Sequence, residues 1–354
     1  MAFLSRLLTK REAAGPDPRK AQLQDMRARL DRMHRVVLDK DVLRHVLPVR
    51  AAAVAGRSAS PAARARERQF CDGAPAYAVA LEQGSARTPQ VRRITVDGLR
   101  WSAPLMRPDD EAAVQRYLAQ QDFPYRTITQ TREVAVGGAM IDIGANVGRM
   151  SIPRVILGDV TAAYCAEPDP LNYACLVANV VDNQLTGLVM PDRVAIGAED
   201  GVARLERRST AGGHTVIDPG AATARETIDV PLLTLDSWAQ RVGIDPADLA
   251  FVKLDAQGSE VHVLRGAARV LAQAHVAWQI EVDFPLLARR GCSPEDLFAI
   301  LRTHFTHFTD LNRHAGGARV RPVAELADAL AYLSDVRHGG TDVLVYCAPG
   351  LGHG

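Results

Sequence analysis

The spacing of hydrophobic positions changes character near residue 139. Upstream it is helical. Leu23, Met26, Leu30, Met33 and Val37 recur at intervals of three and four with Arg and Asp between them, which predicts an amphipathic helix over 19–47 that Pro48 stops. Residues 51–75, rich in Ala, Arg, Ser, Gly and Pro, read as a linker or short helix. Residues 91–105 alternate in polarity around Asp97-Gly98, a two-residue hairpin signal. The segment from Asp109 to Gln121 reads as a helix with acids in its first turn.

From Ala139 onward, short apolar runs alternate with helical segments. Strands are expected at Met140–Ile143, Ala162–Ala166, Val194–Ile196, Phe251–Leu254, Val276–Val282 and Val343–Cys347. Helices are expected at Val147–Leu157, Leu171–Asp182, Gly258–Leu271 and Pro294–Thr303. Repeated β-α-β units imply an α/β fold with a mostly parallel sheet and helices on both faces. Three parts are expected: a helical N-terminal extension over 1–85, a hairpin and helix over 86–130, and the main domain over 131–350. Ligands of such sheets bind beyond the carboxyl ends of the strands, so function is sought there.

Composition narrows the classes. With 47% hydrophobic and 23% charged residues, the chain is neither disordered nor fibrous. It holds no run of about 18 uncharged apolar residues, so a membrane span is not expected. The net charge of +1 hides an asymmetry: residues 1–70 carry sixteen bases against seven acids, a net +9, and the remainder is −8. A basic arm before an acidic body suggests two parts with different jobs. The arm's helix would dock on its own domain or pair two copies as a homodimer. Nucleic acid is disfavoured as its partner, because acids are interspersed and aromatics are absent. The five cysteines are odd in number and form no C-x-x-C pair, which fits neither a disulfide framework nor a zinc site. With an apolar N-terminal stretch too short for a signal peptide, a cytoplasmic location is expected.

The chemistry lies at the expected strand ends. The first ends in I-D-I-G-A-N-V-G, with Asp142, Gly144, Asn146 and Gly148. Glycines there permit a tight turn and close backbone approach to a ligand. The spacing is not the G-x-G-x-x-G of dinucleotide folds, and an acid beside the turn suits a cationic ligand better than a pyrophosphate. The second strand ends in C-A-E-P-D-P, where Glu167 could accept hydrogen bonds from both hydroxyls of a ribose. Asp255 ends F-V-K-L-D, with Glu260 and His262 soon after, and Glu281 ends W-Q-I-E.

The ordered set IDIGANVGRMSI, AEPDPLNYACLVANVVDNQ, RVAIGAEDGVARL, PLLTLDSW, FVKLDAQGSEVHVLRGA and WQIEV resembles the FkbM-type S-adenosylmethionine-dependent methyltransferases, over about residues 139–283. The resemblance implies a Rossmann-like class I methyltransferase fold with S-adenosyl-L-methionine as cofactor. It implies that Asp142, Gly144, Asn146 and Gly148 surround the methionine part, that Glu167 holds the ribose, and that Asp182, Asn183 and Ala195–Gly197 lie near the adenine. Asp236 and Asp255 would face cofactor or acceptor. One departure stands out: relatives often carry an acid where this chain has Gln257.

Methyl transfer to a hydroxyl benefits from a positioned base. The candidates are Asp255, His262 and His214, with Glu260 and Glu281 behind them. The expected activity is O-methylation of a small-molecule, glycan or lipid-linked hydroxyl. A methyltransferase acting on nucleic acid or protein through the basic arm, or a non-catalytic module of the same fold, stands as the alternative. No metal site is expected, since H-x-x-H at His304 and His307 lacks a third ligand.

Overall fold

The computed structural model describes residues 50–51, 54–83, 91–96, 98–105, 127–128, 130–132, 134, 137–208, 213–217, 223–311, 319–335, 337 and 339–347. The helices expected over 19–47 and 109–121, and any pairing of copies through the first, lie outside the described residues.

Helical residues 50–51 and 54–58 open the described chain, followed by α1 (Pro61–Gly73) and α2 (Pro75–Glu82), each with proline in its first turn. The hairpin β1 (Val91–Val96) and β2 (Leu99–Pro104) follows, antiparallel, with Gly98 at φ 76° in its turn. The main body runs β3 (Ala139–Ile143), α3 (Ser151–Leu157), β4 (Ala162–Ala166), α4 (Pro170–Asp182) and β5 (Val189–Asp192). Next come β6 (Ala195–Gly197), β7 (Gly201–Glu206), β8 (Thr215–Ile217), β9 (Thr227–Thr234) and α5 (Leu235–Val242). The chain then returns through β10 (Leu249–Leu254), α6 (Glu260–Arg265), α7 (Ala268–Leu271), β11 (Ala277–Val282), α8 (Phe284–Arg289) and α9 (Pro294–His304). It ends with β12 (His307–Asp310), β13 (Val320–Pro322), α10 (Leu326–Ala329) and β14 (Thr341–Tyr346).

The large sheet has the order β13-β12-β14-β11-β10-β3-β4-β5. Its five strands from β11 to β5 are parallel, and β14, β12 and β13 continue it antiparallel. The order reverses between β3 and β10. Crossovers on the two sides of that point therefore cover opposite faces and leave a crevice at its carboxyl end. This is the mostly parallel α/β architecture that the sequence implied.

Alternation along the strands separates the two faces. Ile141, Tyr164, Val252 and Trp278 enter a core shared with Phe70, Trp238 and Leu297. The intervening Cys165 turns to the other face and meets Ser151 of α3 at 3.4 Å. On that second face the register sets Asp142 beside Lys253, and Lys253 beside Gln279. One face is thus oily, and the other carries polar side chains toward the strand tips.

One expectation is corrected. The third parallel strand is Val189–Asp192, not Val194–Ile196; the latter becomes β6 of a separate sheet of order β6-β9-β7-β8. Pro191 disguises β5 as a loop, and the position tolerates it because β5 lies at the sheet edge. The stretch expected as a linker or short helix is helical over Pro61–Gly73 and reaches the core: the Phe70 ring stands 5.5 Å from Tyr77 and 5.8 Å from Tyr164. Phe70→Ala should therefore lower the stability of the whole domain by about 3–5 kcal/mol, read as an earlier midpoint in denaturant. An unchanged midpoint would show these helices to be peripheral.

Candidate active site

A cavity of about 230 Å³ opens at the carboxyl ends of β3, β4 and β10. Three consecutive turns of backbone shape it. After β3 the chain bends through Gly144 (φ 74°), Asn146 (φ 52°) and Gly148 (φ 89°). Gly144 is doubly constrained: its φ disfavours a side chain, and a Cβ there would stand 1.9 Å from the Asp255 carbonyl oxygen. This contact brings the β3 turn against the β10 turn.

Glu167 ties the β3 turn to the β4 turn. Its Oε2 accepts the Asn146 amide at 2.8 Å, and its Oε1 accepts the Asp169 amide at 3.0 Å and Asn172 Nδ2 at 3.4 Å. The residue is only 5% exposed, yet its carboxyl lines the cavity. Burial pushes its pKa up to about 7 despite these donors, which pull the other way.

The polar face of the sheet supplies the opposite wall. Lys253 Nζ lies 3.2 Å from Asp255 Oδ2 and 3.6 Å from Asp142 Oδ1. Burial works against the Lys253 charge, but the carboxylates of Asp255, Asp142 and Asp342 outweigh it and raise the ammonium above its ordinary range. Burial likewise opposes the Asp255 charge, and Lys253 and Gln257 overcome it to hold that carboxyl below its ordinary value. Gln257, on left-handed backbone (φ 51°), donates its Nε2 to Asp255 Oδ1 and to Glu281 Oε2, both at 2.9 Å. Burial, then the neighbouring Asp255 charge, pushes Glu281 well up. The two carboxyls are therefore shifted in opposite directions, Asp255 down and Glu281 up.

The third wall comes from the small sheet inserted between β5 and β10. Ala195, Ile196, Leu205 and Val216 give it an apolar lining, and His214 adds a ring. Thr215 Oγ1 donates to the Gln257 carbonyl at 2.8 Å, so this sheet is fastened to the β10 turn. Asp169 fastens it to the β4 turn by accepting Arg207 Nε at 3.0 Å. Among the described residues, no group of His, Cys, Asp and Glu is arranged to hold a metal ion.

Residues 142–316 match the methyltransferase FkbM domain. The chain is also similar to the 31-O-demethyl-FK506 methyltransferase FkbM of Streptomyces tacrolimicus, with 25% identity over 249 residues, covering 58% of this chain and 89% of that one. The chain carries a methyltransferase FkbM domain. It is an S-adenosylmethionine-dependent methyltransferase. Among solved structures it is similar in fold to P. horikoshii TYW2 in complex with MeSAdo, at 12% identity and a TM-score of 0.37 over 78% of this chain and 82% of that one. A second is M. jannaschii TYW2 in complex with AdoMet, at 10% identity and a TM-score of 0.32 over 73% and 86%.

In this FkbM-type enzyme, Gly144, Asn146, Glu167, Ala195, His214 and Asp255 all border the cavity. Several expected residues do not. Asp142 lies beneath it, fully buried beside Lys253, because alternation turns the last-but-one residue of β3 onto the sheet face. Gly148 is a packing position, where a Cβ would come 2.7 Å from Leu176 Cδ1. Asp182 and Asn183 end α4, which runs back from the strand tips toward the amino ends of β4 and β5. There Asp182 pairs with Arg93, and Asn183 exchanges hydrogen bonds of 2.9 and 2.7 Å with the Arg100 backbone. Asp236 accepts the Arg269 amide at 2.9 Å, linking two helices. His262 sits on α6, 3.9 Å from Cys292 Sγ, and Glu260 accepts the Ala256 and Gly258 amides that shape the β10 turn. Lys253 and the Leu205 and Val216 part of the apolar wall were missed. The alternation in G-V-A-R-L-E was the available signal for the sheet, whereas Lys253 inside an apolar strand reads only as an oddity.

Glu167 imposes a pH dependence on the free protein. Its pKa is about 7 when folded, against an ordinary 4.5. The folded state therefore favours the protonated acid, and stability falls as pH rises from about 5 through 7. The shift corresponds to about 3 kcal/mol once both states are ionised. Denaturant unfolding at pH 5.5 and pH 8 should show Glu167→Gln losing markedly less stability across that interval than the native chain. Equal losses would contradict the assignment.

Proposed function

We propose that this enzyme transfers the methyl group of S-adenosylmethionine to a hydroxyl of a small-molecule, glycan or lipid-linked acceptor. One observation carries the reading: Glu167 and Asp255, from the two sides of the strand-order reversal, border a single cavity with an apolar slot between them. The residues fit the donor. Glu167 has lone pairs beyond those its backbone donors use and would accept both ribose hydroxyls. Val194, Ala195, Ile196 and Leu205 would flank the adenine, and the Gly144–Asn146 backbone would run beside the methionine part. With Asp142 neutralised by Lys253, the carboxylates that favour a sulfonium are Glu167 and Asp255, a revision of the role first expected for Asp142.

Bound S-adenosylmethionine supplies an electrophilic methyl group. The chain supplies alignment and a proton acceptor. Asp255, ionised and held from two sides by Lys253 and Gln257, would accept a hydrogen bond from the acceptor hydroxyl, turn its lone pair toward the methyl group, and take the proton. Glu281, whose carboxyl burial pushes up, would stand beside it, joined through Gln257. Its place beside Gln257 answers the departure noted in the sequence: an amide there bridges two carboxyls that a third acid would repel. The named activity of the Streptomyces tacrolimicus relative, on a demethyl hydroxyl position, supports the choice of oxygen. Among the described residues no helix is long and apolar enough to cross a membrane. The five free cysteines support a reducing, cytoplasmic setting. The N-terminal extension, the 86–130 segment and the catalytic domain are proposed as the three parts of the chain.

Incubation with methyl-labelled S-adenosylmethionine and a cell extract, followed by mass spectrometry, should place the label on an oxygen of a small or glycan-bearing molecule. Label on nucleic acid or protein would overturn that acceptor class. Glu167→Ala should weaken S-adenosylhomocysteine binding by about 1–3 kcal/mol in calorimetry, the loss of charge-assisted hydrogen bonds. Asp255→Asn should leave that affinity within about twofold and cut turnover roughly 100-fold or more. Loss of donor affinity in Asp255→Asn, with turnover per bound donor intact, would move Asp255 out of the acceptor site.

A further inference from the structure

The inserted sheet brings one buried polar side chain into the cavity. His214 stands just before β8, and its side chain is 4% exposed. Its Nδ1 accepts the backbone amide of Arg208 at 3.0 Å. A ring nitrogen that accepts a hydrogen bond carries no proton, so in the neutral imidazole the hydrogen sits on Nε2. Burial, aided by Arg207 and Arg208, favours that neutral ring, and the Asp169 carboxylate opposes it.

Nε2 is fully buried and has no hydrogen-bond partner. The nearest acid, Asp169 Oδ2, is 3.8 Å away, beyond hydrogen-bond reach, and already accepts Arg207 Nε at 3.0 Å. A buried donor without an acceptor is costly, and here it borders the cavity beside the Glu167 turn. The same geometry removes His214 from the role of general base. One of its nitrogens is engaged by backbone, and the other already bears a proton.

We propose that His214 is a donor-binding residue, its Nε2–H hydrogen-bonding an uncharged acceptor atom of the bound nucleoside, either a ribose oxygen or a purine ring nitrogen. This inference rests on the donor assignment made under Proposed function. The nucleoside is favoured over the methionine part because Asp169, the acid nearest Nε2, is two residues from Glu167, the residue assigned to the ribose. An uncharged atom is favoured because Glu167 and Asp169 would repel an anionic one. The inserted sheet is then a part of the donor site, and not only a cover for it.

The test is calorimetric titration of S-adenosylhomocysteine into the full chain and into His214→Ala and His214→Gln, with melting temperatures of the ligand-free proteins. The alanine variant should bind roughly tenfold more weakly, the effect of one lost hydrogen bond in a buried site. The glutamine variant, whose amide nitrogen reaches the Nε2 position, should stay within about threefold of the native chain. Native affinity in the alanine variant would overturn the proposal, as would equal weakening in both variants, which would mean shape and not donation. Should the alanine variant fail to fold, the ring's ¹⁵N resonances in the native chain decide. The Nε2 signal should shift on saturation with S-adenosylhomocysteine, and an unmoved signal contradicts the proposal. Absence of any binding by the native chain would instead sink the donor assignment itself, and this inference with it.

Discussion

The site depends on the buried carboxyl of Glu167. It is the element that joins the turn after β3 to the turn after β4, through amides of Asn146 and Asp169 donated to its two oxygens. It works beside backbone bonds, the Gly144 and Ala145 amides donating to the Ala166 carbonyl at 3.0 and 3.1 Å, and beside Asp169, which caps α4 by accepting the Leu171 and Asn172 amides. Gly144 and Gly148 can adopt left-handed backbone but do not enforce one conformation. A carboxyl placed between the two amide donors braces both turns at once, and the same group faces the cavity. Structure and ligand recognition are thus drawn from one side chain, which explains why it stays buried at the cost of a raised pKa.

A second constraint follows from the pleat. Alternation gives the sheet one apolar face, with Ile141, Tyr164, Val252 and Trp278, and one face where Asp142, Lys253 and Gln279 stand in register. Burying a lone ammonium is prohibitive, and burying lone carboxylates nearly so. Lys253 among Asp142, Asp255 and Asp342 reduces each cost. It also leaves the members unequal: Asp255 low, Glu281 high, and Asp342 pushed up to about 6 by burial. Carboxyls on neighbouring strands pushed in opposite directions are suited to the two roles of proton acceptor and proton donor, a division useful for handling a hydroxyl proton.

Much of this was legible in the sequence, for physical reasons. Strand β4 was read to the residue, and β3, β10 and β11 to within two residues, because their apolar runs end at glycine or proline turns. The tips Gly144, Asn146, Glu167 and Asp255 were found because parallel sheets place function there. Other features were hidden because they depend on distant parts of the chain. β5 contains a proline that only an edge position excuses. The inserted sheet pairs β6 with β9 across some thirty intervening residues, which no local pattern specifies. Asp182 and Asn183 follow the cavity-lining segment in sequence, but α4 carries them away from the strand tips, against the hairpin. Asp142 has the right residue type one position too early, so the pleat delivers it to Lys253.

The decisive question is where an adenosyl group settles. A crystal structure with S-adenosylhomocysteine should show its ribose hydroxyls within hydrogen-bond distance of the Glu167 carboxyl, and its base against Ala195 and Ile196. An adenosyl group held elsewhere on the protein, with Glu167 still bonded only to its own backbone neighbours, would contradict the account.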